Sequence, residues 1–329
     1  MKRLKKELLA ALALILALAV FSYTLAAVMI PPRKGYGSNW NAYLAEKKDS
    51  IQALFFGSSL CYCDVVPAVI RASGGAASYV MAGPEQTPAM TYYYLRETLR
   101  TQQPQAIFME VTGVFFDRYT NFTKVNAGYM PWGLNRLGAI FRASEKKQRL
   151  GLLFPLYNYH DRWNELPKMD FSVLWKHTPD DLAGYTFLDR SAALTGIEER
   201  KVDFDEQTYR DNIAWLKKIA SYCAEKGVTP VFYISPSWYR LNDRYLEMLR
   251  RDLPAGAVFR DFNETFDTLG LNTQTDFYDN MHFNWRGAEK FSAALAGWMN
   301  ELGIEPRPAD DALWQSRLAA FDALKEGAQ

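Results

Sequence analysis

Four times along this chain a short, largely apolar run stops at a turn with glycine or serine, and a helical pattern follows. Ile51–Phe56 ends at Gly57, a second run passes Met81-Ala82 into Gly83-Pro84, Ala106–Val111 ends at Thr112-Gly113, and Thr229–Ile234 ends at Ser235-Pro236. A weaker fifth run is Ala257-Val258-Phe259. Continuous rather than alternating apolarity marks strands buried on both faces, the pattern of a parallel sheet. Helical spacing over Glu85–Leu99, Tyr209–Lys226, Leu241–Leu253 and Arg286–Leu302 supplies the crossovers. The expectation is an α/β domain: a parallel sheet of about five strands with helices on both faces. Sites in such sheets form at the carboxyl ends of the strands. Gly57-Ser58-Ser59, Gly83, Thr112-Gly113 and Ser235 therefore fall on one rim. Glu85-Gln86 is read as a helix start, with the acid near the positive end.

The N-terminus is of another kind. Lys2, Arg3, Lys5 and Lys6 precede an apolar stretch from Leu8 to Ile30, interrupted only at Ser22-Tyr23-Thr24. About 20 apolar residues span a bilayer core, so the stretch suffices for one transmembrane helix. A cleaved signal peptide is the alternative, but the run continues past Thr24-Leu25-Ala26 into Val28-Met29-Ile30 and lacks a good small-residue cleavage site. Four basic residues stand before the span and two, Arg33 and Lys34, just after it. That bias predicts a single pass, with a cytoplasmic N-terminus and everything from Pro31 onward extracytoplasmic.

Beyond the span about 295 residues remain, enough for one large domain with insertions. The whole chain carries a formal charge of +1, and the basic tail leaves the rest at about −2, which offers no electrostatic footprint for nucleic acid. Cys61, Cys63 and Cys223 are an odd count without the spaced partners of a metal site, so they read as small apolar packing residues, and no metal or cofactor is called for. No P-loop or G-x-G-x-x-G fingerprint follows any strand.

Chemistry concentrates in two places. Ser59 sits on the turn after the first strand, and Asp279-Asn280-Met281-His282-Phe283-Asn284 runs toward Gly287 more than two hundred residues later. A serine on such a turn can attack, and a histidine three residues after an aspartate can take its proton while the carboxylate orients the imidazole. The chain has only three histidines, His160, His177 and His282, which limits the alternatives. Asp276 and Asp279 could be counted as a carboxylate pair, but Asp279 is better used as the partner of His282, and no separate acid completes a glycosidase pair.

The turn Gly57-Ser58-Ser59-Leu60 together with Asp279-x-x-His282-x-Asn284-x-x-Gly287 resembles the SGNH/GDSL hydrolase superfamily. The extended second motif is similar to its membrane-anchored branch of cell-envelope acylation proteins, which includes the teichoic acid D-alanine-transfer protein and alginate O-acetylation proteins. The resemblance covers roughly residues 50–115 and 225–300 and implies a three-layer αβα, flavodoxin-like fold. It assigns Ser59 as nucleophile, His282 as base, Asp279 as orienting acid and Gly83 as the second-block glycine. The superfamily's oxyanion-hole Asn after strand three has no counterpart in Ala106–Gly113. The backbone N–H groups of Ser59 and Gly83 remain for the hole, with Thr112 or Gly113 as substitutes. The branch implies an envelope polysaccharide or teichoic-acid-like acceptor and a multi-span membrane acyltransferase as partner.

Residues from about 115 to 205, between the third and fourth strands, interrupt the alternation and are rich in aromatics, among them Trp132, Trp163 and Trp175. Long insertions after strand ends often build lids or platforms. Tyr157, His160, Arg162 and Trp163 are candidate substrate contacts there, with Asn284 a further one near the histidine; packing as a subdomain core is the alternative for the aromatics. The run Glu145–Arg149 reads as a solvated helix face. The expected organisation is tail and anchor over 1–30, linker over 31–49, catalytic domain over 50–305 and a helical tail over 306–329. The expected activity is acyl-ester hydrolysis or O-acyl transfer through an acyl-serine, with a non-catalytic accessory role as the alternative.

Overall fold

A computed structural model describes residues 2–31, 36–37, 39–115, 120–166, 171, 174, 177–196 and 198–328; Arg33, Lys34 and Trp175 lie outside them. Its elements in chain order are α1 (Lys2–Met29), α2 (Trp40–Tyr43), β1 (Ala53–Phe56), α3 (Ser59–Tyr62), α4 (Pro67–Ala72), β2 (Ser78–Val80), α5 (Pro88–Thr98) and β3 (Ala106–Glu110). The insertion then contributes α6 (Thr120–Gly128), α7 (Leu134–Arg142), α8 (Arg149–Leu153), α9 (Leu156–Tyr159) and the short β4 (Glu198–Glu199). The chain returns through α10 (Glu206–Lys226), β5 (Thr229–Ile234), β6 (Tyr239–Arg240), α11 (Asp243–Asp252), β7 (Val258–Asp261), α12 (Trp285–Glu301) and α13 (Asp311–Gly327).

The five long strands form one wholly parallel sheet in the order β2-β1-β3-β5-β7. Counted within the sheet this is 2-1-3-4-5, a doubly wound order whose direction reverses between β1 and β3, the place where ligands enter such sheets. Both faces are apolar because both are covered. Leu54, Phe56, Ile107, Met109 and Phe232 pack with Tyr94 of α5 and Leu216 and Ile219 of α10. Phe55, Phe108, Val231 and Tyr233 pack with Ile70 of α4 and Phe291, Leu295 and Trp298 of α12.

The helix expected from Glu85 begins later. Glu85 itself has φ 46°, Thr87 caps the helix by accepting from Met90 N, and Pro88 takes the first turn, where its missing N–H costs nothing. Parts of the segments expected as linker and tail pack into the core. Trp40 and Tyr43 of α2 are buried, and α13 buries Trp314, Phe321 and Arg317. Arg317 forms an ion pair with Glu46 in which both side chains are 1% exposed. The α1 helix is long and apolar enough to cross a membrane, as a signal sequence also is. Its exposed flank ends where Ala26, Val28 and Met29 become buried.

Candidate active site

Every strand end named from the sequence lies on the carboxyl rim. β1 leaves the sheet at Gly57, where φ is 153° and a Cβ would stand 2.8 Å from the Glu110 Cβ on β3. Only glycine allows that approach. Ser58 then precedes α3, and Ser59 is its first residue, so the Ser59 N–H lies among the first four of the helix, which have no intrahelical acceptor.

Opposite stands the turn before α12. Its neck is an antiparallel bridge between Phe277 and Phe283, with Tyr278 N donating to His282 O at 2.9 Å. Inside it Asp279 Oδ1 accepts from the backbone N–H groups of Met281 (2.7 Å) and His282 (2.8 Å). The same carboxylate meets His282 Nδ1 at 2.9–3.0 Å, and His282 Nε2 lies 2.7 Å from Ser59 Oγ. With Nδ1–H directed at the carboxylate, Nε2 is the acceptor facing the serine hydroxyl. Partial burial pushes the Asp279 carboxyl upward, but the His282 side chain and the two backbone N–H groups outweigh it and hold the group below its ordinary range. Asp279 is therefore an anion at neutral pH, the state that orients and stabilises a neighbouring imidazolium.

Asp276 plays no part in this array. It is buried, accepting from Asn272 N, Thr275 Oγ1 and Lys290 Nζ. Gly287 explains itself by the same contact region: a Cβ there would sit 2.3 Å from Asp276 O. Asn284, a candidate substrate contact, is fully buried. Its Oδ1 caps α12 at Arg286 N, and its Nδ2 donates to Arg190 O, Ser191 Oγ and Thr275 O, so it holds the turn and leaves substrate to others.

The remaining candidates divide. Gly83 is packed so tightly that a Cβ would meet Asn126 Oδ1 at 2.1 Å. Thr112 lies on the rim, but its N–H and hydroxyl both donate to the Glu110 carboxylate, at 3.0 and 2.9 Å, so neither points at the serine; Gly113 follows, buried in a 3₁₀ turn. Tyr157, His160 and Trp163 are exposed on the insertion, and Arg162 Nη1 donates to Met29 O at 2.7 Å. The two short helical elements that carry these four pack against α1. Cys61 and Cys63 are free and buried behind the nucleophile turn, and burial pushes both thiols well up.

Three residues that sequence reading passed over matter here. Asp64 is buried and accepts from Phe283 N at 3.1 Å, tying the histidine turn to the serine turn; burial raises its carboxyl well above the ordinary range, only partly offset by the Phe283 N–H and the Ser235 hydroxyl. Glu110 is pushed by burial to about 7, against the two donors of Thr112. Asn126, from the insertion helix α6, donates to Pro84 O at 2.9 Å and points its unpartnered, buried Oδ1 at Gly83. Nothing in the spacing signals that a residue this far beyond β3 returns to the second turn.

The loop after β5 closes the rim. Ser235 Oγ donates to Leu60 O, and Trp238 and Tyr239 N–H donate to Asn280 O, so this loop touches both halves of the array. Alongside it opens a cleft of about 260 Å³ bordered by Thr112, Arg200, Ser237, Arg240, Asp261 and Asn263. No family model matches the sequence, and no curated protein matches it.

Proposed function

We propose that this chain is a membrane-anchored serine enzyme of the SGNH/GDSL type that cleaves or transfers acyl esters on a cell-envelope glycan or polymer. The observation that carries the reading is the single imidazole bridging Ser59 Oγ and the Asp279 carboxylate. Ser59 Oγ attacks the acyl carbonyl while His282 Nε2 takes its proton. The anion of Asp279 stabilises the imidazolium, which then protonates the departing oxygen. An acyl-serine remains, and a sugar or polyol hydroxyl, or water, attacks it with His282 again as base. The N–H groups of Ser59 and Gly83 are the donors for the tetrahedral oxyanion; a missing third donor costs about 3 kcal/mol, which favours a reaction driven by acceptor positioning over fast hydrolysis. The cleft beside Thr112 is the acceptor's place. The basic N-terminal tail supports a domain outside the cytoplasm, with a multi-span membrane acyltransferase as the source of the acyl group.

A second reading, a non-catalytic accessory that binds polymer or partner, is favoured by one observation: Glu110 occupies both donors of Thr112 and leaves the hole poorer.

A membrane-impermeant fluorophosphonate probe applied to bacterial spheroplasts carrying the full chain separates the readings. Labelling is expected for wild type and, at least in part, for Ser58→Ala, with loss of several orders of magnitude in rate for Ser59→Ala and His282→Ala. Equal labelling of wild type and Ser59→Ala would sink the enzyme. Labelling that appears only after lysis would reverse the orientation and leave the nucleophile standing.

A further inference from the structure

The aromatic insertion carries an apolar surface that the candidate site does not use, and that surface is continuous with α1. Ser22, Tyr23 and Ala26 of α1 form one wall of an apolar groove of about 320 Å³; Trp132, Leu153, Phe154, Pro155 and Leu156 form the other. Phe154 is 62% exposed and Trp163 69%, with Leu150 and Tyr157 open beside them. Two contacts fix this face to the helix: Arg162 Nη1 donates to Met29 O, and the last turn of α1 is buried where it meets α9.

Depth decides what covers the groove. At 1.5 Å per residue, Ser22–Ala26 stand roughly 21–27 Å beyond Leu8, where the apolar run begins. A hydrocarbon core is about 30 Å thick. If α1 spans a bilayer from Leu8, the groove lies at its outer boundary, and Trp163, near the level of Met29, lies where headgroups begin. Charge agrees with depth. Between Thr120 and Glu165 the chain has seven Lys or Arg against three Asp or Glu, in a protein of net +1. Lys146 and Lys147 are exposed among them. An aromatic and apolar face on a segment with this cation excess, of which only Arg136 is buried, fits an anionic lipid interface.

We propose that α8, α9 and the residues around Trp132 form a lipid-docking surface, seated in the outer leaflet beside α1. Helix α6 of the same insertion carries Asn126 to Gly83, so seating the insertion holds the Ser59 rim close to the bilayer. Substrate then reaches the serine from the membrane plane. The proposal rests on the anchor reading of α1.

The full chain, reconstituted in vesicles of phosphatidylcholine and phosphatidylglycerol, provides the test. Single substitutions Leu12→Cys, Phe154→Cys, Leu150→Cys and Glu225→Cys accept an environment-sensitive fluorophore, because the three native thiols are buried. Lipids bearing a nitroxide on the acyl chain should quench Leu12→Cys and Phe154→Cys by at least about half, with Leu150→Cys as the second insertion site, and leave Glu225→Cys on α10 bright. Quenching at Leu12→Cys with both insertion sites as open to an aqueous quencher as Glu225→Cys would overturn the docking surface alone. No quenching at Leu12→Cys would overturn the anchor and the docking surface together. Insertion sites shielded from both lipid and aqueous quenchers would mean that another protein copy covers them, which also overturns the proposal.

Discussion

Glu110 is the residue whose protonation the rim cannot ignore. It lies at the end of β3, fully buried, against Gly57 and below Thr112. Burial raises its folded pKa to about 7 from an ordinary 4.5. The native state therefore keeps a proton that the unfolded chain gives up near pH 4.5, and native stability from this group is fully present below that value and lost as pH rises to about 7. The loss amounts to about 3 kcal/mol. Glu110→Gln cannot titrate, so its stability relative to wild type should improve by that order between about pH 4.5 and 7.5. Urea unfolding at both pH values measures it; a constant difference would show that Glu110 is ionised in the folded protein. In the sequence the residue is only a polar position inside the third apolar run. Its burial, and the engagement of Thr112 that follows, come from how closely β1 and β3 approach at Gly57, a distance that no local pattern carries.

At the scale of elements, what could be read was what depends on neighbours in sequence. The five strands announced themselves by apolar runs, and α10 by spacing that buries Ile213, Leu216 and Ile219 on one side. The Asp279–His282 turn was equally legible, because its hydrogen bonds stay within four residues. Contacts made by distant segments were not legible. Nothing local tells that α6 packs Asn126 against Gly83, or that Arg162 donates to the end of α1. The Asn126–Gly83 meeting has a measurable signature. Gly83→Ala places a methyl 2.1 Å from Asn126 Oδ1, forcing the carboxamide off Pro84 O, and should cost about 1–3 kcal/mol. Removing that carboxamide makes room, so Asn126→Ala combined with Gly83→Ala should lose less than the two single losses added. Denaturation midpoints of the four-member cycle test this; strict additivity would mean that α6 and the turn yield independently.

For the whole molecule the decisive contact joins two segments far apart in sequence. Arg317 and Glu46 are paired without solvent, the guanidinium also donating to Asp180 O and lying over the Trp314 ring. Deleting one partner strands the other, so Arg317→Ala should cost about 3–5 kcal/mol. Glu206→Ala, which breaks an exposed pair with Arg210, should cost less than about 1 kcal/mol. Calorimetric unfolding of the two variants should differ accordingly, and a small loss at Arg317 would mean that water reaches the pair. The separation of these partners, 271 positions, also bears on synthesis. A chain made from its N-terminus has Glu46 long before Arg317. Until α13 is complete, Glu46 has no cation and the patch that receives Trp314 and Phe321 stays open. If the domain is exported, its closure waits for α13 to clear the membrane. A ribosome that stops short of residue 317 leaves a product that cannot close its own shell, and quality-control proteases have an open seam by which to recognise it.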